Sequence, residues 1–528
     1  MSDTTLQVTV RPNARKWAFL RILLIYLVFG LTLAYVSPWL PGSEGAKRVL
    51  TRIWGPVLTD NYPTAGRDQI TVMLIDDEDL RAYGEVWPVS LGFHGRRLLE
   101  LLKYKPKAVF FDIVFLDDRK DPELAGFIDA ACAARAAGTP VFVGSFGNAG
   151  FAPSRTESAM LTRRTDVGGK PLPCIEPAYL NLRIDGFDQS VWEYDVNIAE
   201  PDGPAHHGAP KMRTAAQAAF PSPAARLYQV DHALPSGVGA TPLALVWGTA
   251  SDPRNLEWLN SDLRPGGPGE PCSASWRWQR VLQVGQPSAP ICPYQQLLPM
   301  RTLKRNHGLD TKELDAAIGQ KYVIYGTHLQ SNGDVILSPY HGRIAGAFVH
   351  AMALDNLLSF EGHPKAGGDF GRPWDGLATG FTVLAVVLIS ALIAAESLVP
   401  VAQMSRHRAF GRLMNWAPTG APMRRGTRRR AAYRELELAL KAGILWLVPW
   451  VLVGIVFLLT IGFLIVVSYY LMDLGPLVWI EYVLFPICMG FLRIGDKVDA
   501  FLTRVYLYLR EVKRSIHASV AGFPDSSQ

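Results

Sequence analysis

Two short apolar runs give the clearest pattern in the chain. Residues 70–75 are mostly apolar and β-branched, and they stop at the acidic pair Asp76 and Asp77. Residues 108–111 form a second apolar run, which stops at Asp112. Between the runs, leucines at 98, 99, 101 and 102 follow helical spacing after a Trp87-Pro88 break. The pattern predicts strand, helix, strand, which is the crossover unit of a parallel sheet.

The same reasoning extends the α/β pattern along the chain. Residues 121–123 start an Ala-rich helix that runs to about Ala137, and residues 139–146 give a third strand. Residues 147–300 lack long periodic runs, which indicates loops and short strands in a loop-rich insertion. The core then resumes with a strand at 321–328 and an amphipathic helix from Gly346 to Phe360. We therefore expect a parallel sheet that returns to its first half after the insertion.

Four longer apolar segments predict transmembrane helices, at 17–37, 374–400, 442–470 and 474–492. Each is long enough to cross a bilayer at about 1.5 Å per residue. A cleaved signal peptide is the alternative for the first segment, because Arg21 shortens its uninterrupted apolar run. A hydrophobic content of 49% and a positive mean hydropathy favour a membrane protein with one large soluble part.

The positive charge of the chain is concentrated in one predicted loop. The net charge is +6, yet residues 401–441 alone contain ten Arg or Lys and two Glu. Basic loops stay in the cytoplasm, so residues 1–16, the 401–441 loop and the 493–528 tail are predicted to be cytoplasmic. This topology displays residues 38–373, with a core at 50–362, in the periplasm of a multi-pass inner-membrane protein. The arginines should also contact anionic lipid.

Five cysteines are present, and four of them fall in the predicted periplasmic part. That compartment permits one or two disulfides, and Cys272 with Cys292 is the pair we favour, with unpaired buried thiols as the alternative. At the other end of the chain, Val498, Leu502, Val505 and following apolar residues are spaced 4-3-4-3-4. This amphipathic helix could lie on the membrane, dock a partner or a second copy of the chain, or merely extend the fourth span.

Candidate chemistry is limited to a few polar residues. Asp76, Asp77 and Asp112 follow predicted strands, where they could bind a divalent cation or a cationic ligand, or instead cap the following helices. His94, His328, His341 and His350 could add pH or metal sensitivity. Glu481 lies in the fourth predicted span, as a partner for another helix or a proton carrier, or at its edge.

Motifs for catalysis are missing from the sequence. We find no phosphate-binding loop, nucleophile elbow, zinc-protease or kinase motif, and therefore predict no enzyme activity and no cofactor. The basic run also lacks the interleaved aromatic residues of a nucleic-acid site.

Several pieces of the chain, taken in order, resemble the type-2 CHASE domain, an extracytoplasmic sensory module of bacterial receptors. They are VMLIDDEDL (72–80), GEVWP (84–88), LLELL (98–102), AVFFDIVF (108–115), DPEL (121–124), VIYGTH (323–328) and GAFVHAMALDNLL (346–358). The family layout of one span, the sensory domain and three clustered spans matches the predicted topology. The chain departs from the family at residues 89–91, which are Val, Ser and Leu where the family often has an Arg shortly after Trp-Pro. Unlike most such receptors, it is expected to have no output domain after residue 492.

The resemblance implies a sensor or receptor that passes its state to a separate protein. On this interpretation the candidate ligand-binding residues are Asp76, Asp77, Asp112, Trp87 and His328. The alternative is a structural subunit of an envelope complex, which would use residues 147–300 as a docking surface.

Overall fold

The computed structural model describes nine stretches of chain and a few isolated positions between Leu24 and Thr59. The stretches are 61–115, 121–146, 154–186, 188–199, 219–239, 242–258, 292–304, 309–329 and 334–365. They belong to one compact unit, Glu44–Gly371. Within this part of the chain no helix has the length and hydropathy that a bilayer crossing requires. The four predicted spans, the basic loop and the tail lie outside the described residues, apart from Leu24.

The centre of the unit is a parallel sheet of six strands. Its strands are β1 (Ile70–Ile75), β2 (Ala108–Val114), β3 (Val141–Ser145), β6 (Glu176–Tyr179), β12 (Gln296–Pro299) and β13 (Tyr322–Thr327). They are ordered β12-β1-β13-β2-β3-β6. Strand β13 pairs with β1 from Tyr322↔Ile70 and with β2 from Tyr322↔Ala108, so it lies between the first two strands.

Seven α-helices accompany the sheet within the described stretches. They are α1 (Asp77–Tyr83), α2 (Leu91–Leu102), α3 (Leu124–Ala136), α4 (Arg155–Thr162), α5 (Pro223–Tyr228), α6 (Thr311–Ile318) and α7 (Ala347–Ser359). The main core joins alternate residues of the central strands to α2, α3 and α6 on one face of the sheet. Helices α5 and α7 contact the sheet strands as well. The sheet is therefore buried, as all-parallel sheets normally are.

Helix α7 packs very closely on the sheet. A Cβ atom added at Gly326 of β13 would lie 2.9 Å from the Cβ of Ala347, so only glycine permits this approach. Every residue from Ala347 to Leu357 is buried. The prediction of an amphipathic helix was therefore wrong: α7 has apolar or hydrogen-bonded surroundings on all sides, because the insertion covers the face that the sheet leaves open.

The insertion supplies small antiparallel sheets. Its strands are β4 (Arg164–Val167), β5 (Lys170–Pro173), β7 (Leu182–Ile184), β8 (Val191–Tyr194), β9 (Asn197–Ala199), β10 (Ala219–Pro221) and β11 (Leu243–Ala244). They form a β4-β5 hairpin, a β11-β8-β7 sheet and a β10-β9 pair. A further hairpin, β14 (Val335–Ser338) with β15 (Gly342–Ala345), precedes α7. The prediction of short strands in this region is confirmed for its described residues.

The sequence patterns located most of the core elements. Strands β1, β2, β3 and β13 and helices α2, α3 and α7 lie where they were predicted. Strand β2 extends past Phe111, so Asp112 lies inside the strand and does not terminate it. The patterns missed helices α1, α4, α5 and α6, because each is eight residues long or shorter, and they gave no indication that β6 and β12 join the central sheet.

Candidate functional site

The predicted ligand residues Asp76 and Asp112 do not share one site. Strand β13 separates β1 from β2, and adjacent strands are about 4.8 Å apart. Each carboxylate instead has partners of its own.

Asp76 caps helix α1. Its side chain accepts a hydrogen bond of 2.6 Å from the backbone N–H of Asp79, and the Asp79 carboxylate accepts one of 2.9 Å from the backbone N–H of Asp76. Both carboxylates are fully buried. This reciprocal arrangement is a capping box, which satisfies two N–H groups that a helix start would leave unbonded.

Arg301 supplies the positive charge for this pair. Its Nη1 lies 2.8 Å from Asp76 Oδ2 and 3.3 Å from Asp79 Oδ1, and its backbone N–H donates to Asp79 over 2.6 Å. Burial raises the pKa of Asp79 to about 7, and the neighbouring charge of Asp76 adds to the increase. The Asp76 carboxylate is thus engaged by the helix and by Arg301, which is the capping role that the sequence analysis left open.

Trp87 lies at the edge of the main core. Its peptide bond to Pro88 is cis, and its indole packs edge-on against the imidazole of His94, with ring centroids 6.5 Å apart. His94 Nδ1 in turn lies 2.9 Å from the hydroxyl of Tyr325 on β13. Burial lowers the pKa of His94 to about 3, so the ring is neutral at physiological pH. Trp87 and His94 therefore act together as packing groups.

Asp112 lies on the side of the sheet opposite the main core, where it contacts helix α7. Its Oδ1 lies 3.5 Å from Nε2 of His350. The other ring nitrogen of His350 lies 2.9 Å from the hydroxyl of Tyr194, on strand β8 of the insertion. That hydroxyl also accepts a long hydrogen bond, 3.4 Å, from the backbone N–H of Ala224 at the start of α5. This chain of contacts joins the sheet, α7 and the insertion.

Asp334 completes the group, and we call Asp112, Asp334, His350 and Tyr194 the carboxyl-edge cluster. Burial raises the pKa of Asp334 to about 7, and the charge of Asp112 raises it further, against a hydrogen bond from Thr327. A Cβ atom at Gly346 would lie 2.6 Å from Asp334 Oδ1. Glycine there lets the Asp334 carboxylate approach the N-terminal end of α7, where the helix dipole favours negative charge.

The other predicted residues lie apart from this cluster. Asp77 is half-buried in the first turn of α1. His328 follows β13, and its backbone N–H donates to Ile75 over 2.8 Å. Across the described stretches, no three His, Cys, Asp or Glu side chains stand close enough to hold a metal ion. Glu481 and Cys272 lie outside the described residues.

A disulfide joins Cys132 of α3 to Cys174, just before β6. One or two disulfides were predicted for this part of the chain, and Cys132 with Cys174 was not the pair favoured from the sequence. Cys292 is also disulfide-bonded, and its pairing with Cys272 stays a prediction.

Two members of the carboxyl-edge cluster were predicted from the sequence, and two were not. Asp112 and His350 were singled out, whereas Asp334 and Tyr194 were not. One signal for Asp334 was available, since it is an acidic residue that follows the predicted strand 321–328 within a few residues, and ligands of parallel sheets bind beyond the carboxyl ends of the strands. Tyr194 had no such signal because it comes from the insertion.

We expect Asp334→Asn to flatten the pH dependence of stability. A carboxyl group whose pKa is raised in the folded state binds more protons in that state than in the unfolded state. Its contribution to the free energy of unfolding therefore falls as the pH rises from about 4 to 7. Asparagine removes this loss, so the free energy of unfolding of the variant should exceed that of wild type by about 1–3 kcal/mol at pH 8. Urea unfolding of the full-length chain at about pH 5 and pH 8 measures the effect. The exposed Asp129→Asn is the control; equal curves for all three proteins would contradict the assignment.

Comparison with known proteins gives one match. Neither curated proteins nor solved structures yield a match to this chain. Residues 32–392 match the CHASE2 domain family, so the match covers about two thirds of the sequence and includes the whole six-stranded sheet. The chain therefore belongs to the CHASE2 domain family, a family of sensory domains of receptors.

Proposed function

We propose that the protein is a bacterial inner-membrane sensor whose periplasmic CHASE2 domain binds a ligand or partner and signals to a separate protein. Membership of the CHASE2 family supports the sensory role. The predicted spans support the membrane location, and the basic segments support the placement of the domain outside the cytoplasm.

The carboxyl-edge cluster is the observation that carries this proposal. It places two carboxylates and a histidine where parallel sheets commonly bind ligands, beyond or near the carboxyl ends of the strands. Two neighbouring acidic groups, one of which has a raised pKa, can bind a proton or a cationic ligand. Either would change the charge that His350 and the start of α7 experience.

Helix α7 is the proposed route to the membrane. It holds His350 in the cluster and ends at Ser359, shortly before the segment predicted to cross the bilayer at 374–400. It also carries a buried acid, Asp355, which accepts hydrogen bonds from Tyr62, Ser359 and Gln295. The sensor proposal requires α7 to move as a unit, so that a change at His350 reaches the far end of the helix.

The sensor proposal can be tested through His350. In tagged full-length protein purified from its native membranes, His350→Gln should change the recovery of a cross-linked partner by about fivefold or more. It should also change hydrogen exchange of the α7 amides, because the Asp112 and Tyr194 contacts are lost. His363→Gln, at an exposed position after α7, is the matched control.

The alternative scaffold function gives the opposite result. A structural subunit would retain its partners at constant stoichiometry in His350→Gln and in Asp112→Asn, and would lose them when exposed residues of the insertion are changed. Constant recovery together with unchanged α7 exchange would therefore remove the sensor proposal.

A further inference from the structure

A pocket of about 430 Å³ lies at the other end of the sheet. Pro140 and Phe142 at the start of β3 and Glu176 at the start of β6 line it, which places it at the amino edge. Val167 and Leu172 of the β4–β5 hairpin form an apolar wall. Its volume is typical of small-molecule pockets, and it shares no residue with the carboxyl-edge cluster.

Two arginines and one glutamate make the pocket positive, and we call it the arginine pocket. Arg135 Nη2 lies 3.0 Å from Glu176 Oε1, and Arg226 Nη1 lies 3.5 Å from Glu176 Oε2. The single carboxylate is thus shared by two guanidinium groups, which leaves a net charge of about +1. Both arginine side chains are largely buried, with exposed fractions of 18% and 27%.

The guanidinium groups have hydrogen-bonding capacity to spare. Arg226 Nε donates to the carbonyl of Pro177 over 3.2 Å. Arg135 Nε is buried and has no hydrogen-bond partner among the described residues. A buried donor without a partner is costly and rare in folded proteins.

The disulfide holds the charged wall together. Cys132 lies one helical turn before Arg135 on α3, and Cys174 lies two residues before Glu176. The bond therefore ties the helix that carries the first arginine to the strand that carries the shared carboxylate. Arg226 comes from α5 in the insertion, so three separate segments converge on one charged group.

We propose that the arginine pocket binds a monoanionic carboxylate with an apolar body. A carboxylate matches the forked donors of a guanidinium group, and the wall of Val167, Leu172 and Phe142 would hold the apolar part. Glu176 disfavours a dianion such as phosphate, because it cancels half of the positive charge. Binding at this pocket does not depend on whether the chain acts as a sensor.

Calorimetric titration of the full-length protein in lipid nanodiscs tests the site. The probes are 4-phenylbutyrate and hexanoate, with 4-phenylbutyramide as the neutral analogue, inorganic phosphate as the dianion and empty nanodiscs as the blank. We expect the two carboxylates to bind and the amide and phosphate to bind at least about tenfold more weakly. Failure of both carboxylates to bind, or equal binding of the amide, would overturn the proposal.

Two substitutions with opposite expected effects locate the binding. Arg226→Gln should weaken 4-phenylbutyrate binding at least about tenfold, whereas Glu176→Gln should strengthen it by raising the net charge of the pocket. Arg164→Gln removes the same charge from an exposed position on the neighbouring strand β4 and should leave binding unchanged. If thermal unfolding shows that the variants are folded and their affinities equal wild type, the assignment to this pocket is wrong.

Discussion

Replacing Arg301 by methionine should lower the free energy of unfolding by about 3–5 kcal/mol near neutral pH. The substitution leaves Asp76 and Asp79 buried without their counter-charge, and both carboxylates are fully buried in the wild-type protein. Methionine preserves much of the apolar volume of the arginine side chain, so the loss reflects charge more than packing. Urea unfolding of the purified full-length chain measures the difference.

The same variant should recover stability in acid. The pKa of Asp79 is already raised by burial and by Asp76, and removal of the guanidinium group raises it further. A raised folded pKa means that stability falls as pH rises from about 4 to 7 and beyond. The difference between Arg301→Met and wild type should therefore shrink when unfolding is measured at about pH 5.

A surface arginine provides the matched control. Arg96 is half exposed and lies 3.3 Å from Glu123 and 3.7 Å from Glu85. Exposed ion pairs contribute about 0–1 kcal/mol, so Arg96→Met should cost no more than that at either pH. If Arg301→Met were as mild as Arg96→Met, the Asp76 carboxylate would not depend on Arg301 and would again be a ligand candidate.

The arrangement around Asp76 shows what sequence patterns can and cannot predict. The spacing of apolar residues located β1 and the acidic residues after it, because strand and helix periodicities are local. Arg301 lies 225 residues away along the chain from Asp76, and no local pattern connects them. Both the capping and the ligand interpretations were therefore compatible with the sequence, and only the pairing of distant segments separates them.

The order of the strands in the sheet also depends on pairing between distant segments, so local patterns do not predict it. The runs at β1, β2 and β13 were each recognisable, but the position of β13 between the other two follows from long-range pairing. This order separates Asp76 from Asp112 and brings Asp112 beside Asp334, which follows β13. For the same reason the burial of α7 was not predictable: its composition shows a helix, whereas its second cover comes from the insertion.

Loss of the Cys132–Cys174 disulfide should produce the second large effect on stability. The bond closes a loop with a sequence separation of 42, and its removal should cost about 4 kcal/mol through the greater entropy of the unfolded chain. The double variant Cys132→Ala with Cys174→Ala isolates this bond from that of Cys292, which a reducing agent would also break. Urea unfolding under oxidising conditions measures the loss.

The disulfide also lies beside the arginine pocket, so its loss should affect ligand binding as well as stability. Because the bond ties Arg135 to Glu176, the double variant should also bind 4-phenylbutyrate more weakly under conditions where it remains folded. Ala133→Ser, at an exposed position beside Cys132, should change neither property. A double variant as stable as wild type would show that the remaining contacts of α3 with β3 and with the β4–β5 hairpin suffice to stabilise this part of the domain.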